Sequence, residues 1–419
     1  MKYRQLSTAA IAFALSACGP ASPAPPSPLS WTMYQNGLTH DAVVPVDFPG
    51  VKWDRKQDAK MNGGIGYDGV SLFVVTFSGD LLAVDPRTGS VRWRAHADDV
   101  LMSTPIVADG MVFVGSGTNA HLYDRPGATS WGRAKGNHWY AFRTDNGAMV
   151  WSYATIGEAM PSAAYTNGRL IFATGDDVAI ALDARSGQQL WRAPLPGVAT
   201  MASAMVDGNT IFFASTMGKY EWNSPTRNHT LSVDVASGRI LWSVPYGNAD
   251  CTPTVAQGTV FIEGANDGPM GPREAIGNNE VFALNERTGA LRWRYVGPQG
   301  NYTSVGSDER AIAAAYAGGV LFQSVPSISS FVAFRASDGR ILWSVRTSGP
   351  VKMSALIDGK DVYVGDTSGV LYRLDARSGA VRAALLFDRP FTPAPPLIVG
   401  KTLFVANTDY LRAVPLASF

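Results

Sequence analysis

Cysteine is nearly absent from this chain: Cys18 and Cys251 are the two copies in 419 residues. No disulfide framework is available, so the fold must rest on a packed core, which a chain of this length can build. Charge is sparse too. Charged residues are 16% of the chain and the formal net charge is +1, so no one-sign field points to nucleic acid. No stretch has the period of a long amphipathic helix. A CxxCH haem site and a GxSxG nucleophile elbow are missing. The histidines His40, His96, His121, His138 and His229 have no metal-ligand spacing. Gly64 to Gly69 matches GxGxxG, but a strand pattern follows it, and without a helix N-terminus nothing supplies the dipole a phosphate needs. Cys251 reads as a buried, inert thiol, because a nucleophile needs a positioned base.

Glycine and tryptophan, by contrast, are plentiful, at 43 and 11 residues, and apolar residues make up 46%. Many short strands joined by glycine turns produce that composition.

The N-terminus is an address. Residues 1–18 carry Lys2 and Arg4, then a small or apolar run over 6–15, too short to span a bilayer and fitting a signal peptide. Leu15-Ser16-Ala17-Cys18 resembles a bacterial lipobox. The resemblance implies cleavage before Cys18 and acylation of its sulfur, which holds a soluble domain at a membrane surface. Gly19 follows, which implies the outer membrane, on its periplasmic side. Residues 19–30 are a Pro/Ala/Ser linker, extended and semi-rigid. The third segment is 31–419.

That segment repeats. An apolar strand follows a glycine at Val70–Phe77, Met111–Gly115, Leu170–Thr174, Thr210–Ala214, Thr259–Glu263, Val320–Gln323, Asp361–Gly365 and Thr402–Ala406. A further strand, a tight turn and a tryptophan come next, as in LLAVDPRTGSVRW and LSVDVASGRILW. Trp93, Trp151, Trp191, Trp242, Trp293 and Trp343 hold the tryptophan slot, and Ala383 holds it in a seventh copy. A glycine lies four residues before each slot, where a hairpin needs positive φ. Asp85, Asp183, Asp234 and Asp375 stand four residues before the glycine, placed to accept the turn's N–H groups. Spacings of 58, 40, 51, 51, 50 and 40 residues, with no helices, predict a β-propeller. The last repeat stops before any turn and tryptophan, while Val51-Lys52-Trp53 has no strands ahead of it. Joining the two ends predicts an all-β, eight-bladed ring of four-stranded antiparallel blades, seven within 61–383 and the eighth built from both termini.

These repeats resemble those of the quinoprotein alcohol dehydrogenase family, the pyrroloquinoline-quinone-like propellers with a tryptophan-docking turn. One branch holds quinone and Ca²⁺; another is the propeller lipoprotein of outer-membrane protein assembly, which binds no cofactor. The dehydrogenases place a calcium-binding Glu before an aromatic–Gly pair and a calcium-binding Asn in a blade-four turn. Here Ser130 precedes Trp131-Gly132, and Met217 or Gly218 falls in the second slot. Adjacent cysteines are missing. The expectation is no cofactor, with pyrroloquinoline quinone and Ca²⁺ as the alternative.

Two groups of residues are candidates for function. Loops after the tryptophan strands offer Glu158, Asn248, Asp250, Asn301, Tyr302 and Lys352 around an axial funnel, residue types suited to a hard cation, a base and a quinone oxygen. Three enlarged loops on the same propeller face offer partner contacts: Tyr123, Arg125 and Trp131; Tyr220, Trp222 and Arg227; and Arg273. Tryptophan, tyrosine and arginine are the usual anchors of contacts. The leading expectation is a lipid-anchored envelope scaffold for a protein partner, with outer-membrane protein assembly as its nearest role. A quinone-dependent dehydrogenase of small alcohols or sugars, and a sensor or carrier of a small ligand, are the alternatives.

Overall fold

The computed structural model describes residues 29–40, 42–97, 99–117, 137–197, 202–216, 228–247, 251–266, 276–301 and 313–419. Cys18 lies outside them. Among the described residues the regular structure is β-strand with short 3-10 turns. Eight sheets follow one another around a ring. Seven are four-stranded and use consecutive strands, over residues 66–96, 106–155, 164–194, 205–244, 254–301, 315–346 and 356–386; these are blades 1 to 7. In each, the first strand is innermost and the fourth is outermost.

The burial pattern follows from that layering. Leu72–Val75 and Asp80–Val84 are buried throughout, whereas Val91–His96 on the rim is mostly exposed. A blade is covered on both faces by its neighbours, so its central strands are continuous apolar runs, as in any sheet buried on two sides.

Blade 8 is made by both ends of the chain. Trp53–Lys56 pairs antiparallel with Tyr410–Pro415, placing Trp53 opposite Ala413. Closure removes the two exposed edges that an open array would carry. One detail departs from the expected four-stranded blade: Val43–Val44 adds a fifth strand, parallel to Leu397–Val399. The backbone reaching Trp53 must pass the inner edge of this blade, and pairing there satisfies its polar groups.

Each tryptophan docks on the next blade. Trp93 Nε1 donates to the Thr144 carbonyl at 2.9 Å, Trp191 to Val235 at 3.0 Å, Trp293 to Ala336 at 2.8 Å and Trp53 to Pro86 at 3.0 Å. The indole lies flat on the turn glycine. At Gly339, with φ +72°, an added Cβ would fall 2.6 Å from Trp293 Cε3, so both the backbone conformation and the close approach demand glycine. The turn carboxylates behave as read from sequence. Asp85 Oδ1 accepts from Arg87 N at 2.8 Å and Thr88 N at 3.1 Å, and Asp375 Oδ1 accepts from Arg377 N and Ser378 N. These bonds, with the Ser186 and Ser237 hydroxyls and the Arg382 guanidinium, hold Asp183, Asp234 and Asp375 below the usual carboxylate range.

The missing tryptophan has a structural reason. Ala383 faces blade 8, whose outer strand is Trp53–Lys56 from the other side of the ring's closure, so no hairpin turn joins it to the third strand. There is no glycine pad for an indole to rest on. In other blades the second strand carries a phenylalanine against the tryptophan, as with Phe261 and Trp293 at 5.9 Å or Phe322 and Trp343 at 5.8 Å. In blade 7 the corresponding ring is Tyr363, and Phe419 meets it edge-on at 5.3 Å. The residue between Tyr363 and Ala383 in register is Arg373 instead of the usual small residue, paired with Asp361 at 2.6 Å.

The ring has two distinct faces. On one, the hairpin between strands one and two is stapled to the hairpin between strands three and four, as in Ala184 N to Gly168 O at 2.9 Å and Glu286 N to Gly258 O at 3.0 Å. We call this the turn face. The opposite, loop face gathers the connections between blades and those between strands two and three.

Candidate interaction face and axial channel

All three enlarged loops leave from the loop face. Their anchoring strands are described: Met111–Gly115 into Asn137–Arg143, Thr210–Thr216 into Asn228–Asp234, and Thr259–Asn266 into Ile276–Asn285. Tyr123, Arg125, Trp131, Tyr220, Trp222, Arg227 and Arg273 lie outside the described residues, as do Asn248, Asp250 and Tyr302. Asn301 is the last residue of the outer strand of blade 5, Leu291–Asn301, opposite Ile276.

Around the axis the loop face is latched by hydroxyls. Gly64 N donates to Thr104 Oγ1 at 2.9 Å, Thr104 N to Ser162 Oγ at 2.8 Å, Ser162 N to Ser203 Oγ at 3.1 Å and Ser203 N to Thr252 Oγ1 at 3.0 Å. Each bond crosses from one blade to the next, so five successive blades share one chain of side-chain bonds. Cys251 belongs to this layer. It is buried, and its sulfur accepts from Glu263 N at 3.4 Å, the role Ser103 Oγ has toward Gly115 N in blade 2.

Glu158 and Lys352 are both buried on the loop face, at 1% and 7% exposure. Glu158 lies between blades 2 and 3 and Lys352 between blades 6 and 7, four blades away around the ring. The Glu158 carboxyl is packed on Gly175, where an added Cβ would fall 2.4 Å from Oε2, and its carbonyl accepts from Gly175 N at 3.1 Å. It braces two blades.

Sequence reasoning missed what fills the axis. Trp31 forms a backbone bridge with Val107 in blade 2, and Thr32 O accepts from Tyr165 N in blade 3. Tyr34 OH then meets Ser354 Oγ at 2.9 Å, and Gln35 Nε2 donates to Ala355 O at 3.3 Å, both in blade 7. Leu38, Thr39 and Ala42 accept from Val255, Tyr316 and Ile398 in blades 5, 6 and 8. Residues 31–44 therefore cross the channel and tie six blades together. Gln35 and His40 are 1% and 0% exposed. Burial pushes the His40 imidazole down to about 4 and the Tyr34 phenol up. His40 Nε2 lies 3.1 Å from the Pro253 carbonyl, which suits a neutral ring donating one proton. The signal available was WTMYQNGLTH itself, a polar and aromatic stretch with no repeat counterpart.

A second missed feature is a buried polar knot between blades 5 and 6. Glu263, Asn279 and Gln323 are each at most 3% exposed. Asn279 Nδ2 donates to Glu263 Oε1 at 2.7 Å and Gln323 Nε2 to Oε2 at 2.5 Å. In other blades the Glu263 register position holds Gly115, Ala173 or Gly365, and that of Gln323 holds Val74, Val114 or Val364. Aligning the repeats column by column reveals both.

A quinone with Ca²⁺ needs convergent oxygen ligands and a flat cradle. Glu158 is turned into a blade contact, Lys352 stands across the ring, and residues 32–35 span the axis between those sides. The described residues do not fit that group. Among them no set of three or more His, Cys, Asp or Glu side chains is arranged to hold a metal ion.

Known proteins share this architecture. The chain is 26% identical over 355 residues to tetrathionate hydrolase of Acidithiobacillus ferrooxidans, covering 80% of this chain and 68% of that protein. It is 23% identical over 249 residues to outer membrane protein assembly factor BamB of Shewanella oneidensis, covering 57% and 54%. Among solved structures, BamB from Moraxella catarrhalis superposes with a TM-score of 0.61 at 16% identity over 86% of this chain and 95% of that one. Quinohemoprotein alcohol dehydrogenase from Comamonas testosteroni does so with 0.66 at 12% identity over 92% and 80%. At such identities the structures speak for the fold alone. The family model described as outer membrane protein assembly factor BamB matches residues 43–295 and 277–413, and this chain belongs to that family, PQQ_2.

Proposed function

We propose that this protein is an envelope lipoprotein, anchored through Cys18 on the periplasmic side of the outer membrane, whose propeller is a rigid platform for a protein partner. Outer-membrane protein assembly is the nearest role. The observation that carries the proposal is that all three enlarged loops depart from one face of a ring whose axis is filled by its own chain. Contact chemistry is thereby concentrated on the surface of the disc, with Tyr123, Arg125, Trp131, Tyr220, Trp222, Arg227 and Arg273 as its anchors. Family membership and the relatives named for outer-membrane assembly support the same reading. A photo-crosslinking residue at Trp131 or Trp222 in living cells should capture a β-barrel assembly protein. Capture unchanged when the crosslinker is moved to the turn face at Ala236 would defeat the assignment.

A second reading rests on the alignment with tetrathionate hydrolase, which at 26% identity over 80% of this chain is as extensive as the alignments with the assembly factors. It is an enzyme acting on a sulfur oxyanion at the loop face. Incubation with tetrathionate, following release of thiosulfate, sulfate and elemental sulfur, separates the two. Turnover lost on removing the loop-face insertions would favour the enzyme and displace the scaffold.

A further inference from the structure

The path of the chain into the ring fixes which face meets the membrane. Leu29 N donates to Asp68 O at 3.1 Å, and the Leu29 side chain covers Gly69. Asp68 and Gly69 form the hairpin between Gly66–Tyr67 and Leu72–Val75, so the N-terminal segment enters through the turn face. Ten residues lie between Cys18 and Leu29. Fully extended they reach about 35 Å, and their Pro/Ala/Ser composition makes them a short spacer. A lipid on Cys18 is therefore tethered nearest the turn face, where the chain enters.

The turn face has the chemistry of a surface that rests on headgroups. Arg185, Arg239, Arg287, Arg340 and Arg377 are exposed at the outer turns of blades 3 to 7, five blades in succession. Among the described residues none of the five forms an ion pair. The acids beside them are engaged elsewhere: Asp183, Asp234 and Asp375 spend an oxygen on the turn's backbone N–H groups, and the exposed Asp338 pairs with Arg335 at 3.0 Å. Exposed aliphatic side chains stand two or three residues past the turn glycines, among them Leu190, Leu241, Leu291 and Leu342 at 42–48% exposure. A groove between blades 4 and 5 is lined by Leu241, Arg287 and Arg292, with Glu286 beside them. Arginines interleaved with aliphatics are suited to an anionic interface.

We infer that the turn face lies against the lipid surface, seated through this arginine and leucine rim, so that the loop face points away from the membrane. The inference rests on the anchoring at Cys18 proposed above. Its test uses the full lipidated chain in vesicles of phosphatidylethanolamine and phosphatidylglycerol carrying a headgroup nitroxide. A bimane label is placed on the turn face by Ala236→Cys or on the loop face by Ser368→Cys; the native Cys251 is buried. Quenching should be several-fold stronger at position 236 than at 368. The triple variant R185E/R287E/R377E should lose that contrast and, in a Cys18→Ala background, bind the same vesicles about tenfold less tightly. Equal or stronger quenching at 368, or none at either position while the protein floats with the vesicles, overturns the orientation and leaves the anchor standing. Palmitate labelling reads the anchor by itself: a chain that takes no label at Cys18 overturns both.

Discussion

Acidification from pH 7 to pH 5 should loosen the strap that crosses the channel, and His40 sets the size of the effect. Its imidazole is fully buried and its pKa is lowered from the ordinary 6.5 to about 4. The unfolded chain binds a proton near 6.5, whereas the folded chain resists it until about 4. Stability from the neutral ring is therefore complete above 6.5 and is lost as pH falls through the window down to 4. Between pH 7 and pH 5 the linkage relation gives a loss of about 2 kcal/mol, a factor of roughly thirty in the folding equilibrium. Other histidines titrate in the same range, so the measurement is a difference. His40 has φ +59°, a conformation that asparagine tolerates, and His40→Asn removes the titration with little backbone strain. Urea midpoints of wild type and His40→Asn, taken at both pH values, should show the wild type losing about 2 kcal/mol more than the variant. Losses that agree within about 0.5 kcal/mol would mean that water or relaxation solvates the charged ring, and the account of a sealed strap would fail.

Other outcomes follow from the packing. Trp293→Ala should cost about 3–5 kcal/mol in chemical denaturation, and Gly339→Ala on the next blade should cost a comparable amount, since it disturbs the same pad. Ala383→Trp should give no gain in stability, for its neighbouring blade has no glycine turn; Phe419→Ala should cost about 1–2 kcal/mol, being a half-exposed ring. Glu263→Gln should destabilise by about 1–3 kcal/mol, as measured by urea midpoint, because the new amide donor faces two amides that need an acceptor. The turn aspartates Asp183, Asp234 and Asp375, held below the ordinary carboxylate range, stabilise the fold above that range; hydrogen exchange at the turns should speed up only as pH falls below about 4.

The repeating parts of the fold were legible because each relies on chemistry with one solution. A bend at positive φ needs glycine, and an indole resting on it needs that glycine to lack a Cβ, so the pair recurs at Gly147, Gly187 and Gly238 in phase with the sheets. Closure was legible for the same reason: Trp53 was a docking residue without a blade. The strap over 31–44 was hidden because it occurs once. Its contacts are backbone bonds to inner strands, which no residue pattern encodes. Glu158 and Lys352 carried the right chemical types at the right end of the strands, but a carboxylate on two flexible methylenes can turn into a blade contact as easily as toward the axis. Glu263 and Gln323 were masked by their place within apolar strands, where a polar residue stands out only against its counterparts in other blades.

The substitution of a terminal phenylalanine for an indole at the last junction bears on how the ring is made. The tryptophan docks join residues at most 51 positions apart, so each can form while the chain is still emerging. The closing pair of strands is different: Asp54 and Arg412, bonded across it, stand 358 positions apart. Its loop-closure cost is met after every local contact has formed, so a fault in that pairing would be felt as failure to shut rather than as a local defect.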